Sequence, residues 1–494
     1  MNDFDIFEKK GYSIKVFHSH IEVFPYKLGD VPQIEKTYSK WDEITHQYIR
    51  IGYYISDNTL YLPRGTSLNL LSNLFSATPI LVNRADSAST IKYPITMKYE
   101  PRDRIQKESI DFLTSENEFK KGMYYSQYGL NLDTGDGKTY CMISAIAKLN
   151  IKAIIITHKT RIKDQWYAEF LDKTDIDKSR ILAISGSDDI TAIMSGKKEA
   201  DIYITNHQTL SSYARLKTWD YIHMFFKKAK IGIKVIDEAH KFFENTLMID
   251  FFSNVKRSYY LTATFTRSDP KEIRIFNKAF SSLYRFGEET MNYEEKRKHI
   301  IFCAVLYRSN PTFQDINNIL KGAYGFNSYR YIDYTLKHDP NHTMMKVLKR
   351  IIDKTEGIEG KILITSPKIE SVEKIAEELK YETDKTISTV HSKQTKEENK
   401  EAINADIISS TIKGIGEGDD IKGLRILINT EPIGSKGLVD QLRGRLREYS
   451  NDKDTYLFYL IDTSIGYTYE MFRRVKPVFE KKCKEIIMMR MDDV

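Results

Sequence analysis

Cysteine is scarce in this chain of 494 residues: Cys141, Cys303 and Cys483 lie far apart, with no C-x-x-C pair and no Cys/His cluster. That excludes a disulfide framework and a zinc site, and it points to a reducing, cytoplasmic setting. Long apolar runs are missing too. No stretch approaches the roughly 18 apolar residues of a membrane span, and the opening MNDFDIFEKK is too acidic and polar for a signal peptide. A membrane partner is therefore not expected. One-sided charge is absent as well: 75 Lys plus Arg stand against 68 Asp plus Glu, a net +7 that permits a polyanion partner without demanding one. Outside the motifs below, the sequence has no metal-ligand cluster of the kind a nuclease needs. Lysine and isoleucine are abundant and alanine is sparse, which suggests an AT-rich, viral genome.

What the chain does have is Thr134-Gly135-Asp136-Gly137-Lys138-Thr139, followed about a hundred residues later by Val235-Ile236-Asp237-Glu238-Ala239-His240. Gly135 and Gly137 let the backbone turn its N–H groups inward on phosphate oxygens, at the positive end of the helix expected from Lys138 to Leu149. Lys138 then reaches the β- and γ-phosphates, and the Thr139 hydroxyl can ligate Mg²⁺. Asp237 and Glu238 end an apolar run suited to a buried parallel strand. Asp237 reads as the second metal ligand and Glu238 as the general base for an attacking water. Together the two stretches make an ATP and Mg²⁺ site. About 30 residues before the loop, Gln106 offers one donor and one acceptor, as the edge of adenine requires, though an isolated surface glutamine reads the same way.

The length allows about three domains. Residues 1–95 read as a small α+β accessory domain, with strands at Tyr12–Phe17, His20–Phe24, Tyr48–Ile55 and Thr59–Leu62 and a helix at Leu68–Phe75. Its aromatics Tyr12, Phe17, Tyr53 and Tyr54 either form sheet core or stack on bases. Residues 96–288 alternate apolar strands with helices, which means a parallel sheet covered on both faces. Its strand ends, Thr157-His158-Lys159, Ser185-Gly186 and Thr205-Asn206-His207, are expected either to grip a phosphate backbone or to cap helices. A charged linker is placed at 289–299. A second alternating series fills 300–494 without a phosphate loop of its own. The fold class is α/β: two parallel-sheet domains in tandem behind the accessory domain. The second domain offers Gln441, Arg443, Arg445 and Arg447 on one expected helix, where periodicity puts Gln441 and Arg445 on one face and makes Arg445 the arginine finger. The stretch Phe472–Arg490 reads as a basic, partly amphipathic surface helix.

These motifs, in this order, resemble superfamily 2 helicases and translocases. Gln106 looks like the adenine-reading glutamine and Thr134 to Thr139 like motif I. Thr157 to Trp166 looks like motif Ia, Asp237 to His240 spells the D-E-A-H of motif II, and Thr262 to Thr264 is similar to motif III. Lys361 to Pro367 stands where motif IV belongs, Thr411 to Asp419 resembles motif V, and Gln441 to Arg445 matches the Q-x-x-G-R of motif VI. The Gln165-Trp166 pair and the T-A-T-x-x-R ending at Arg267 look most like the XPB and RecG group, near the phage branch-migration helicases. The resemblance implies two RecA-like domains. It adds Thr134, Gly135, Asp136, Gly137, Gly418 and Asp419 to the nucleotide contacts, and Gln441, Arg445 and Arg447 to the catalytic set. It implies ATP-driven unwinding or branch migration of forked, branched or duplex DNA, with a single strand in the groove between the domains and the protein acting as a monomer. An RNA or RNA–DNA hybrid helicase of transcript release, and an ATP-gated binding module that does not unwind, stay open beside it. Three residues depart from the pattern: Leu132 for a small residue, Phe265 for proline, and Glu448 for the last arginine of motif VI.

Overall fold

The computed structural model describes residues 11–43, 45–120, 123–133, 135–262, 270–287, 298–321, 325–412, 414, 421–447, 449 and 453–491. The chain divides into two compact units, 1–291 and 292–494. Thr134, Gly418, Asp419, Glu448 and residues 263–269 lie outside the described residues, as does almost all of the expected linker.

The first unit is built on a seven-stranded, all-parallel sheet. Across the sheet its strands run Ile181–Ala183, Ile202–Asn206, Ala153–Thr157, Ile233–Asp237, Arg257–Thr262, Gln127–Asn131 and Tyr284–Gly287. The central strands are apolar runs because both faces are covered, and alternate residues feed opposite cores. Ile154 and Ile156 enter one core while Ala153 and Ile155 enter the other. Each hydrogen-bonded step moves about 4.8 Å sideways, so register decides what meets at the strand ends. Asn131 pairs with Thr262, and Asp237 pairs with Leu261. Three neighbouring strands therefore finish at one level, and they carry the segments singled out from the sequence.

The second unit repeats the plan. Its parallel sheet runs Ile387–Val390, Ile407–Thr411, Lys361–Ser366, Leu424–Asn429, Thr455–Asp462, Ile300–Tyr307 and Glu485–Arg490. Numbered from the first strand of each sheet, both orders are 3-4-2-5-6-1-7, which makes the tandem α/β fold class a finding.

The N-terminal strands form a five-stranded mixed sheet, Tyr54–Ser56, Thr59–Pro63, His20–Phe24, Ser13–Val16 and Pro79–Leu81. Its buried face, with Ile14, Val23, Leu60 and Leu62, shares one apolar core with Ile154, Ile156 and Tyr260 of the parallel sheet. Of the candidate base-stacking aromatics, Tyr53 is buried in that core, Tyr12 and Tyr54 pack against it, edge-on to Phe75 at 5.0 Å and to Phe252 at 5.7 Å, and Phe17 stacks on His20 at 4.8 Å.

Several local expectations change. The strand expected over Tyr48–Ile55 is two strands in different sheets, Gln47–Arg50 and Tyr54–Ser56, because Gly52 lets the chain pass so close to Tyr38 that a Cβ there would meet its ring at 2.6 Å. The C-terminal stretch is not one helix: it is helical over Gly466–Lys482 and then turns into Glu485–Arg490, an edge strand parallel to Ile300–Tyr307. Among the described residues no helix is long and apolar enough to cross a membrane.

Candidate active site

The loop after Gln127–Asn131 turns through two residues in the left-handed region, Gly135 at φ 95° and Gly137 at φ 86°. The left-handed dihedral requires glycine at 137, and a Cβ there would also lie 2.3 Å from the Gln106 side-chain amide nitrogen and push it aside. Gly137 caps the helix Lys138–Leu149 with no side-chain acceptor, which leaves the first-turn amides to an outside anion. Leu132, the departure from the motif pattern, is fully buried in the core beneath the loop, and its carbonyl accepts from the Lys138 ammonium at 2.8 Å. The same ammonium donates to the Asp133 carbonyl at 3.2 Å.

Gln106 is buried against this loop rather than exposed. Its Nε2 donates to the Asp136 carbonyl at 3.3 Å, and its Oε1 accepts from the Arg102 amide at 2.8 Å. The helix that carries it, Arg104–Thr114, is capped by Asp103, whose Oδ1 accepts from the Gln106 amide at 2.9 Å.

Two strands away, Asp237 ends the strand Ile233–Asp237, and its Oδ2 accepts from the indole Nε1 of Trp166 at 2.9 Å. Burial raises the Asp237 pKa above the usual carboxylate range. Glu238 beside it adds to the rise, and the Trp166 indole, His158 and Lys138 oppose it. Glu238 has a left-handed backbone, φ 52°, which costs a side-chain-bearing residue about 1–2 kcal/mol and persists because the segment is held on both sides. His240 Nδ1 lies 3.3 Å from Glu238 Oε2 and 2.8 Å from Thr262 Oγ1, so the D-E-A-H segment is tied to the end of the adjacent strand. Behind it, the buried Lys234 ammonium pairs with Asp250 at 2.5 Å and with Ser253 at 2.7 Å, locking the strand to the helix Phe243–Phe251. The donors around the loop, Thr139 Oγ1 and the Asp237 carboxylate, are all oxygen, which suits Mg²⁺.

Of the other strand ends, Asn206 caps the helix that follows it, while the helices after Lys159 and Gly186 start without a side-chain cap. Asn206 accepts from the Thr209 amide at 2.8 Å, Asp189 accepts from the Ser185 amide at 2.8 Å, and Thr157 Oγ1 donates to the Thr205 carbonyl at 3.2 Å.

In the second unit, the expected helix through Arg447 stops at Arg443, with Gly444 as its cap. Arg445, in a turn, and Arg447 both lie beyond the helix, so helical periodicity does not order their directions. Arg443 is buried and donates from Nε to Asp440 at 2.9 Å, and Asp440 also accepts from Lys482 at 2.9 Å. That ion network commits Arg443 to the fold. Arg445 and Gln441 are half-buried and Arg447 is exposed.

Residues 98–267 match the family model described as "Type III restriction enzyme, res subunit". UvrABC system protein B of Lactobacillus acidophilus is 38% identical over 79 residues, 16% of this chain and 11% of that protein. The match thus spans about a tenth of the length of that curated relative. Among solved structures, S. cerevisiae Dbp5 bound to RNA and ADP BeF3 aligns over 79% of this chain and 90% of its own at 13% identity, with a TM-score of 0.51. The T4 protein UvsW aligns over 97% and 100% at 15% identity, with a TM-score of 0.36, too loose a superposition to argue from. The likeness to superfamily 2 helicases read from the motifs is borne out by the family model over the first sheet and by the tandem-sheet fold.

Proposed function

We propose that this superfamily 2 core is a nucleic-acid-stimulated ATPase that moves along DNA and remodels forked or branched duplexes by unwinding and branch migration. The reading is supported most by one observation: three adjacent strands end flush, so that the phosphate loop, Asp237 and the Thr262–His240 contact share one edge of the sheet.

Each residue then has a task. The loop amides at Gly135, Asp136 and Gly137 hold phosphate oxygens, with Thr134 at the loop's start. Lys138 exchanges the Leu132 and Asp133 carbonyls for the β- and γ-phosphates. Gln106 spends one N–H on the loop and one lone pair on the Arg102 amide, which leaves one of each for the adenine edge. Thr139 and Asp237 are the oxygen ligands for Mg²⁺, which when bound neutralises phosphate charge. Glu238 takes the proton of the attacking water, held in place by His240. Gly418 and Asp419 are assigned to nucleotide contact, and Gln441, Arg445 and Arg447 to transition-state charge. Arg445 is preferred as the finger, since Arg443 is consumed by Asp440.

The test is ATP turnover across single-stranded DNA, duplex DNA, a forked or four-way DNA junction and single-stranded RNA, followed by strand displacement on the best activator. Strongest stimulation by branched DNA with displacement supports the proposal. Stimulation by RNA alone transfers it to an RNA or hybrid helicase, and stimulation without displacement leaves an ATP-gated binding module. No stimulation by any strand overturns it.

A further inference from the structure

Beside the strand ends of the first unit lies a cavity of about 430 Å³ that none of the assigned nucleotide residues enters. That is within the size range of small-ligand pockets, roughly 300–1,000 Å³. Four of its eight lining residues, His158, His207, Trp219 and Phe242, carry flat rings. Phe242 is 41% exposed, and its ring stacks on His207 at 5.6 Å and 22°. Trp219 faces the same space, with its own ring stacked on Phe252 at 5.7 Å.

The pocket also holds unpaired hydrogen-bonding atoms. His207 is 2% exposed, yet its Nδ1 has no partner, and neither does the Oγ of Ser211. Buried polar atoms are normally satisfied, and leaving one bare costs about 1–3 kcal/mol. Two of them lining one aromatic cavity mark a place where a ligand supplies the missing partners.

We infer that this cavity receives one unstacked nucleobase of a bound strand, with its face against Phe242 and its edge toward His207 and Ser211. The inference rests on the proposed nucleic-acid function and assigns it a subsite. The chemistry favours a base over a phosphate. Burial, with His158 alongside, pulls the His207 imidazole down to about 3, so His207 presents a neutral ring rather than a cation to the pocket. The cation among the lining residues, Arg215, is exposed at the rim, where the phosphate of an inserted nucleotide would lie. Every base has a π-face, so such a pocket is indifferent to sequence. Phe242 follows His240 by two residues, which puts the stacking surface on the same segment as Glu238.

The experiment compares the full chain's affinity for a short oligothymidylate, the matching oligouridylate, and a DNA strand of equal length whose residues are abasic. Stacking of one base predicts about tenfold tighter binding of the base-bearing strands. Phe242→Leu, which keeps the volume and loses the ring, should erase that preference while the salt dependence stays as in the wild type, because phosphate contacts are untouched. Ser211→Ala, a change that adds no bulk, should reduce the preference in part. Equal wild-type affinity for base-bearing and abasic strands overturns the base pocket alone, as does a preference that survives Phe242→Leu. Failure to bind any of the strands overturns the nucleic-acid reading as well. A preference confined to DNA or to RNA supports the pocket and names the source of its base.

Discussion

The indole nitrogen of Trp166 donates to the carboxylate of Asp237 across 71 residues of sequence, at 2.9 Å. The bond fixes one oxygen of a carboxylate that burial and Glu238 both push toward protonation. Trp166→Phe keeps the ring in its buried slot and removes the donor. Loss of a group that orients a metal ligand typically costs about 10–100-fold in metal affinity or activity, and a rise of that size is expected in the Mg²⁺ concentration for half-maximal turnover. Because the indole lowers the Asp237 pKa, its removal should move the acid limb of the rate profile to higher pH. A Mg²⁺ titration and a pH profile of the variant check both.

His240 bridges Glu238 and Thr262. Thr262→Val is nearly isosteric, and it removes the hydroxyl that hydrogen-bonds to His240 Nδ1. The general base then loses part of its support at a strained backbone position, so kcat should fall about tenfold, less than the roughly 10²–10⁴-fold that an acid–base group itself contributes, with KM for ATP little changed. Steady-state kinetics over a range of ATP concentrations separate the two parameters.

Lys234 and Asp250 are a fully buried ion pair, with Tyr260 Oη also donating to Asp250 at 2.8 Å. Lys234→Met would leave an uncompensated carboxylate under the sheet. Breaking a buried pair in this way costs about 3–5 kcal/mol, so the midpoint of denaturant unfolding of the first transition should drop sharply. The double change Lys234→Met with Asp250→Leu should recover much of the loss.

His207 carries a pH signature. Its folded pKa is depressed to about 3 from an ordinary value of 6.5. Below pH 6.5 the unfolded chain binds a proton that the folded chain refuses, so this residue's contribution is complete above that value. It is lost as pH falls toward 3, at up to about 1.4 kcal/mol per pH unit. His207→Phe keeps a ring against Phe242 and removes the titration. Its unfolding free energy should fall less steeply than the wild type's between pH 6.5 and 5, as urea melts at several pH values would show.

Much of this architecture is legible in the residues because central parallel strands, covered on both faces, must be unbroken apolar runs. AIIIT at 153–157 and IKVID at 233–237 are examples. The edge strands are harder to read: Tyr284–Gly287 and Glu485–Arg490 are covered on one side only and carry charges that look like surface helix or linker. The helix end at Arg443 was marked by Gly444, a signal that the run of arginines around it obscures. The loop and the acidic pair were visible because their residue types are dictated locally by phosphate and metal chemistry. The Trp166–Asp237 and His240–Thr262 bonds exist only through strand order and register. Gln165-Trp166 marked the family likeness without revealing that the tryptophan supports the candidate metal ligand. The pocket at Phe242 left no sequence signal beyond an aromatic residue two positions after the D-E-A-H.

The most direct measurement is steady-state ATP turnover of the full chain with and without forked DNA, for the wild type, Lys138→Ala and Glu238→Gln. The wild type should turn over ATP and accelerate with DNA. Lys138→Ala should lose turnover through the phosphates, and Glu238→Gln should lose it while retaining nucleotide binding. Wild-type rates in either variant would contradict the assignment of the strand-end cluster as the hydrolytic site.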